Sequence, residues 1–303
     1  MPASLLRFFA SDGVLRPIWR AVLYFGLASW LFLPLADRLW AFLAGRLHIG
    51  TELSAGSTFF YELELLVVAA IVTAILARFE GRRIDDYGMP IKLAFGKLFW
   101  EGLAVGMVWA GLDACGMIAL GGMKISGLAL HGTALLFAGA SWALANVMVG
   151  VAEEFWYRSY FLQTLWESLG FWPAAIVVSL IFTSDHYFYK SGENLFDVIS
   201  LMAFGIFACY TVLRTGSLWF VVGAHAAYDF MQFFVIGSPN GTQIPVDRMF
   251  NVTFPGPAWL TGGVLGTEAS VIEYPVCALA FLYVWWRFRN RPASRSTLTD
   301  YKV

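Results

Sequence analysis

The chain has 303 residues, a formal net charge of −1 and a mean hydropathy of +0.66; 59% of its residues are hydrophobic, 17% aromatic and only 14% charged. A soluble domain carries about 25% charged residues, so the composition points away from soluble enzymes and binding modules and towards a membrane protein. The near-zero net charge by itself argues neither for nor against nucleic acid, and Cys115, Cys209 and Cys277, scattered without CxxC spacing, give no disulfide framework and no thiolate metal site; they read as packed, reduced thiols.

Arg7, Arg16 and Arg20 precede the first apolar run, and no small-residue cleavage site follows it, so this run reads as a retained transmembrane helix rather than a signal peptide. The apolar segments number eight, in order: Ala21–Leu39, Thr58–Ala77, Leu98–Leu120, Thr133–Ala152 with its charged extension, Phe171–Thr183, Leu195–Leu213, Ser217–Ile236 and Ser270–Trp286. The fifth reaches spanning length only if it runs on through His186 and its aromatic neighbours. With no internal repeat and no linker, residues 1–303 are expected to form one all-α polytopic membrane domain of about eight transmembrane helices.

Loop charges suggest an orientation. With the N-terminus inside, fifteen Lys and Arg residues fall on the cytoplasmic side and five (Arg38, Arg46, Lys124, Lys190, Arg248) on the other. That places both termini in the cytoplasm, the protein in the plasma (inner) membrane, and the Pro/Gly/Asn-rich stretch 237–269 outside as a long loop. The same topology puts Glu153 towards the inner end of helix four and His186 towards the outer end of helix five. Either helix four continues past Ala152 or helix five starts late or lies off-axis.

Three patterns carry candidate chemistry. The fourth apolar run has no charge from Thr133 to Ala152 and then gives way to Glu153-Glu154-Phe-Trp-Tyr-Arg158. A charge at bilayer depth costs roughly 2.5–3.5 kcal/mol on insertion scales, so such a cluster is either functional or tightly paired. Glu154 and Arg158, four residues apart, share a helix face as a ready ion pair, which leaves Glu153 available about 100° around the helix. The second pattern is Phe182-x-x-x-His186 and the third His225-x-x-x-Asp229. Each has a bland reading: a helix end at the membrane surface, an interfacial histidine in an aromatic belt, and a structural interhelical pair. His48 and His131 fall in loops and look ordinary.

The ordered set EExxxR, FxxxH and Hxxx(N/D), with Gly216-Ser217-Leu218-Trp219 ahead of His225, resembles the CPBP family of intramembrane proteases, also called the CAAX protease or Abi family, which includes the type II CAAX prenyl endopeptidases. The resemblance spans roughly residues 135–235, a CAAX protease-like core. It implies an eight-helix membrane enzyme with a polar, water-filled cavity and an endopeptidase acting on a membrane-associated or prenylated protein or peptide. On that resemblance Glu153 is the general base that activates water, assisted by His186; Glu154 and Arg158 support the local structure; His225 and Asp229 stabilise the oxyanion. The implied partners are membrane lipid and a protein or peptide substrate, with no nucleic acid.

An ionised Asp229 cannot donate to an oxyanion, so it is either protonated or, the preferred reading, orients His225 and favours its imidazolium form. No HExxH is present, but Glu153, His186 and His225 are a donor set that zinc accepts, which leaves the metal open, with the metal-free reading preferred. Glu62 and Glu64 read as structural or snorkelling side chains near an interface. Asp113, in mid-helix, needs a partner, with Arg158 or a histidine as candidates and a supporting role. The rivals are a presenilin-like aspartyl protease, which has Tyr228-Asp229 but lacks GxGD on the next helix, a rhomboid-type serine protease, which lacks GxSG, and a non-enzymatic membrane protein. A proton-coupled transporter, scaffold or immunity-type factor would use the same buried polar residues.

Overall fold

Inside a bilayer every backbone N–H and C=O must find a partner within its own segment, so apolar runs of this length fold as helices. The computed structural model describes residues 9–11, 14–47, 50, 52–192 and 194–291, and it is helical throughout its apolar runs. His48 and Arg7, and Arg295 and Lys302 among the fifteen charges counted on the inner side, lie outside the described residues.

A small hairpin, β1 (Ala10–Ser11) with β2 (Val14–Leu15), precedes α1 (Pro17–Gly26), which starts with proline, a residue suited to the first helical turn. The helix passes through a π-helical stretch, Leu27–Phe32, into α2 (Leu33–Leu47). Pro34 accounts for the irregularity, because it has no N–H to give the preceding turn. Next come α3 (Ala55–Phe79), capped reciprocally by Ser54 and Ser57, and α4 (Lys97–Ala119). Strand β3 (Lys124–Leu128) leads into α5 (Gly132–Arg158), which breaks at Ser159 and continues as α6 (Tyr160–Leu169). Gly170, at φ +81°, turns the chain into α7 (Phe171–Tyr189). Asn194 caps α8 (Leu195–Thr215) with its side-chain oxygen, and α9 (Trp219–Asp229) runs on into a second π-helical stretch, Phe230–Ile236. Strand β4 (Phe250–Thr253), antiparallel to β3, a short α10 (Ala258–Thr261) and α11 (Glu273–Phe288) complete the chain.

Six stretches among the described residues are long and apolar enough to cross a membrane: Pro17–Arg46, Ala55–Phe79, Lys97–Ala119, Gly132–Leu169, Leu195–Thr215 and Trp219–Ile236. The protein is an all-α polytopic integral membrane protein. The other two of the eight expected segments are also helices: α7, of 19 residues, carries polar residues at its end, and α11 has only 16. The stretch 237–269 is not a bare loop, since it contains β4 and α10. Cys209 and Cys277 are packed and free, as expected, but Cys115 departs from that reading. It lies on an exposed face of α4, where lipid rather than protein would surround it.

The core interlock is between α4, α5 and α9. Gly102 and Gly106 form a GxxxG pair on α4, and Gly223 answers them on α9. A Cβ on Gly106 would overlap the carbonyl oxygen of Ala224, one on Gly102 that of Phe220, and one on Gly223 that of Phe99. On the other side, a Cβ on Gly150 of α5 would stand 2.6 Å from the carbonyl oxygen of Val222. Small residues let helix backbones touch where lipid gives no hydrophobic driving force for association. Gly106→Ala should therefore destabilise the protein by about 1–3 kcal/mol, the cost of overpacking a tight contact. Gly111→Ala, on the same helix with nothing within 4 Å of the new methyl group, should leave melting in detergent near the wild-type temperature.

Candidate active site

The helix α5 does not stop at Ala152. It carries the charged hexapeptide as its last turns and hands it to α6, so Glu154, Phe155, Trp156, Tyr157 and Arg158 are all buried in protein rather than at a surface. α5 runs past Ala152, α7 runs on to Tyr189, and Glu153 and His186 line one cavity of about 760 Å³.

Glu154 and Arg158 are both completely buried, with Oε1 3.1 Å from Nη1. The guanidinium also lies over three aromatic rings, with its carbon 4.5 Å from the centre of Phe182, 5.4 Å from Tyr157 and 5.9 Å from Phe204. Phe182, the first residue of the FxxxH pattern, thus closes one face of the arginine. The same Glu154 Oε1 accepts from Nδ1 of His225 at 2.9 Å, so a single oxygen ties the two motifs together across α5 and α9.

The other ring nitrogen of His225 faces the cavity. Its Nε2 stands 3.9 Å from Glu153 Oε2 and 3.6 Å from Asp229 Oδ2, and Glu153 Oε2 has no hydrogen-bond partner of its own. Only the Nδ1 side has a carboxylate at hydrogen-bond distance; Glu153 and Asp229 stand just beyond it on the Nε2 side. Phe204 meets the ring edge-on at 4.9 Å and fixes its plane. The contact closest to His225 is Glu154 on Nδ1, while Asp229 shares the Nε2 side with Glu153.

His186 sits on the same cavity wall without joining this cluster. Its Nδ1 lies 2.9 Å from the carbonyl oxygen of Phe182, which accepts the proton, and its ring packs on Phe182 at 4.4 Å. The proton on Nδ1 leaves the lone pair on Nε2. No hydrogen bond or ion pair among the described residues joins His186 to Glu153. Next to it, Asp185 accepts from the Tyr157 hydroxyl at 2.8 Å, which links α7 to α5.

The zinc donor set does not fit this arrangement. Among the described residues no three His, Cys, Asp or Glu side chains converge as a metal-holding group. His225 offers each nitrogen to a carboxylate, and His186 has given one nitrogen to a backbone carbonyl.

Two readings of single acids change. Asp113 is fully buried, but its neighbour is neither Arg158 nor a histidine. It faces Glu273 of α11, which accepts from Trp109 Nε1 at 3.0 Å and from the Tyr228 hydroxyl at 3.2 Å. Glu62 is not an interfacial side chain either. It is 6% exposed, lines the cavity and lies within electrostatic reach of Glu153 and Asp229. No sequence signal marks it, because α3 is apolar almost all round; burial alone places Glu62 in line with Ala69, Thr73 and Leu76. Across the outer part of the cavity Lys190 is paired with Glu268, which ties the end of α7 to the stretch before α11.

Comparison with known families gives one matched range. Residues 123–231 match the family described as type II CAAX prenyl endopeptidase Rce1-like, a stretch that contains Glu153, Glu154, Arg158, His186, His225 and Asp229. No curated protein matches the chain.

The shared oxygen of Glu154 generates a stability prediction. Removing one partner of a buried ion pair leaves an uncompensated charge and costs roughly 3–5 kcal/mol. Glu154→Gln should therefore lower the melting temperature sharply, and Arg158→Leu should do the same. Glu153→Gln, whose free oxygen holds no partner, should melt near the wild type.

Proposed function

We propose that the protein is an intramembrane endopeptidase of the CAAX-protease type, in which Glu153 activates water for attack on a peptide bond of a membrane-associated or prenylated protein. The observation that carries this reading is the convergence of Glu153 and Asp229 on the cavity-facing nitrogen of His225, within a stretch that matches an endopeptidase family.

The residues divide into roles that suit hydrolysis. A water in the cavity gives its proton to Glu153, whose Oε2 is unengaged, as the water oxygen attacks the scissile carbonyl carbon. The lone pair on His186 Nε2 accepts a hydrogen from the same water and holds it on the cavity wall. Negative charge then builds on the former carbonyl oxygen, and the imidazolium N–H of His225 is the donor aimed at it. Glu154 holds the ring from behind through Nδ1, and Asp229 keeps it charged. The proton taken by Glu153 passes to the leaving amine as the C–N bond breaks. No step requires a metal.

The surrounding helices supply a lipid-facing shell, so a substrate arrives with part of its length in or on the membrane. Both termini on the cytoplasmic side, with the stretch 237–269 opposite, complete this reading on the strength of the charge bias among the loops.

Three outcomes test it. Glu153→Gln should lower cleavage of a peptide library or prenylated CAAX peptides by about 10²- to 10⁴-fold with the fold intact; unchanged cleavage would sink the mechanism. Asp229→Asn keeps the shape and removes the charge, and should reduce kcat about tenfold or more without a change in melting temperature. Retained activity would instead make Asp229 a donor. Exhaustive chelation of the purified protein should leave the rate unchanged, and a loss restored by zinc would refute the metal-free water activation.

A further inference from the structure

The cavity holds an acid that the proposed reaction does not use. Glu62 stands on α3, outside the matched stretch, and it is more than nine-tenths buried, with Oε2 lacking any hydrogen-bond partner. One helical face of α3, Thr58, Glu62 and Leu65, lines the cavity opposite the motif helices. The carboxylate lies within electrostatic reach of Glu153 and Asp229. Such a group is costly to bury without a partner, and neither hydrolysis nor helix packing explains it.

The charges lining the cavity point the same way. Seven acids (residues 52, 62, 153, 185, 229, 268 and 273) line it against Lys190, which is itself paired with Glu268, and the His225 imidazolium of the proposed reaction, so the acids predominate. A low-dielectric cleft lined by one sign of charge concentrates ligands of the other sign. A peptide carrying an extra carboxylate next to the scissile bond would meet repulsion from Glu62, Glu153 and Asp229 together.

We infer that Glu62 is a specificity-determining residue that receives a lysine or arginine side chain flanking the scissile bond. The substrate is then a membrane-associated protein with a basic residue beside its cleavage site. Glu62 takes the cation, which leaves Glu153 to the water. This inference rests on the endopeptidase reading of the same cavity.

The test uses the full-length protein in detergent or liposomes with three acylated peptide pools, capped at both ends and identical except for lysine, norleucine or glutamate fixed at each position in turn. The lysine pool should be cleaved with a KM about tenfold lower than the norleucine pool at one position flanking the cut, with the glutamate pool poorest. In Glu62→Gln that preference should collapse while kcat on the norleucine pool stays within about threefold of wild type. A purely structural Glu62 would lower cleavage of all three pools in proportion and keep their ranking, which overturns the inference. Equal cleavage of lysine and glutamate pools by the wild type also overturns it, as does a preference that persists in Glu62→Gln. If the preference appears only when the amino terminus is uncapped, the cation is an α-amine and the side-chain assignment falls. Cleavage that survives Glu153→Gln, or no cleavage of any pool, overturns the endopeptidase reading itself. Cleavage that needs Glu153 without any charge preference overturns this inference alone.

Discussion

One oxygen atom, Oε1 of Glu154, holds the functional part of the molecule together. It accepts from Arg158 on its own helix and from His225 on α9, and it does so with no access to water. A buried ion pair is weak evidence for stability, because desolvation offsets much of the Coulomb attraction. Its value here is geometric: it gives the imidazole one orientation, so that Nε2 points into the cavity. The arginine in turn is fixed by the three rings of Tyr157, Phe182 and Phe204, and Phe204 also meets the edge of His225. Charge and aromatic packing thus restrain the same ring from two sides.

This restraint works only if α9 cannot move away. In a bilayer the apolar surface of a helix is as well solvated by lipid as by another helix, so close packing has to come from shape. Gly102 and Gly106 of α4, Gly150 of α5 and Gly223 of α9 supply it by bringing backbones into direct contact. The helix that carries His225 and Asp229 is therefore clamped on both sides by small residues. The π-helical continuation at Phe230–Ile236 begins directly after Asp229, at the point where the clamped part ends. An irregular ladder beside a functional residue is a common place for π-bulges.

The sequence made the fold class and the motif residues readable for a physical reason. Long apolar runs have one solution in a membrane, and an ionisable residue in such a run stands out because it is expensive. Spacing of four residues was enough to anticipate the Glu154–Arg158 pair within α5. Contacts between helices were not legible in the same way. No periodicity could tell that Nδ1 of His225 would reach Glu154, that Asp113 would face Glu273 rather than Arg158, or that Glu62 would turn inward. Those depend on which helix lies beside which, and at what rotation. The end of α5 was also obscured, since the charges at 153–158 resemble a membrane boundary until burial by neighbouring helices is known.

The placement of the acids shows how one cavity can hold several carboxylates with different tasks. Glu154 has no free face: one of its oxygens is committed twice, and protein surrounds the rest. Asp113 and Glu273 form a separate pair behind Trp109 and Tyr228, where indole and phenol donors satisfy the glutamate. Glu153, Asp229 and Glu62 all line the cavity, and His225 Nε2 stands 3.9 Å from the first and 3.6 Å from the second. Glu153 lines the cavity with an oxygen that has no hydrogen-bond partner, and on the reading proposed above it takes the proton from water. Glu62 lines the same cavity from α3 with no imidazole partner among the described residues, and in the inference above it is the group that meets an entering cation. On the reading proposed above, the two glutamates differ in their neighbours: Glu153 has the His225 imidazole beside it, which suits a base, and Glu62, without one, is the group assigned to a cation.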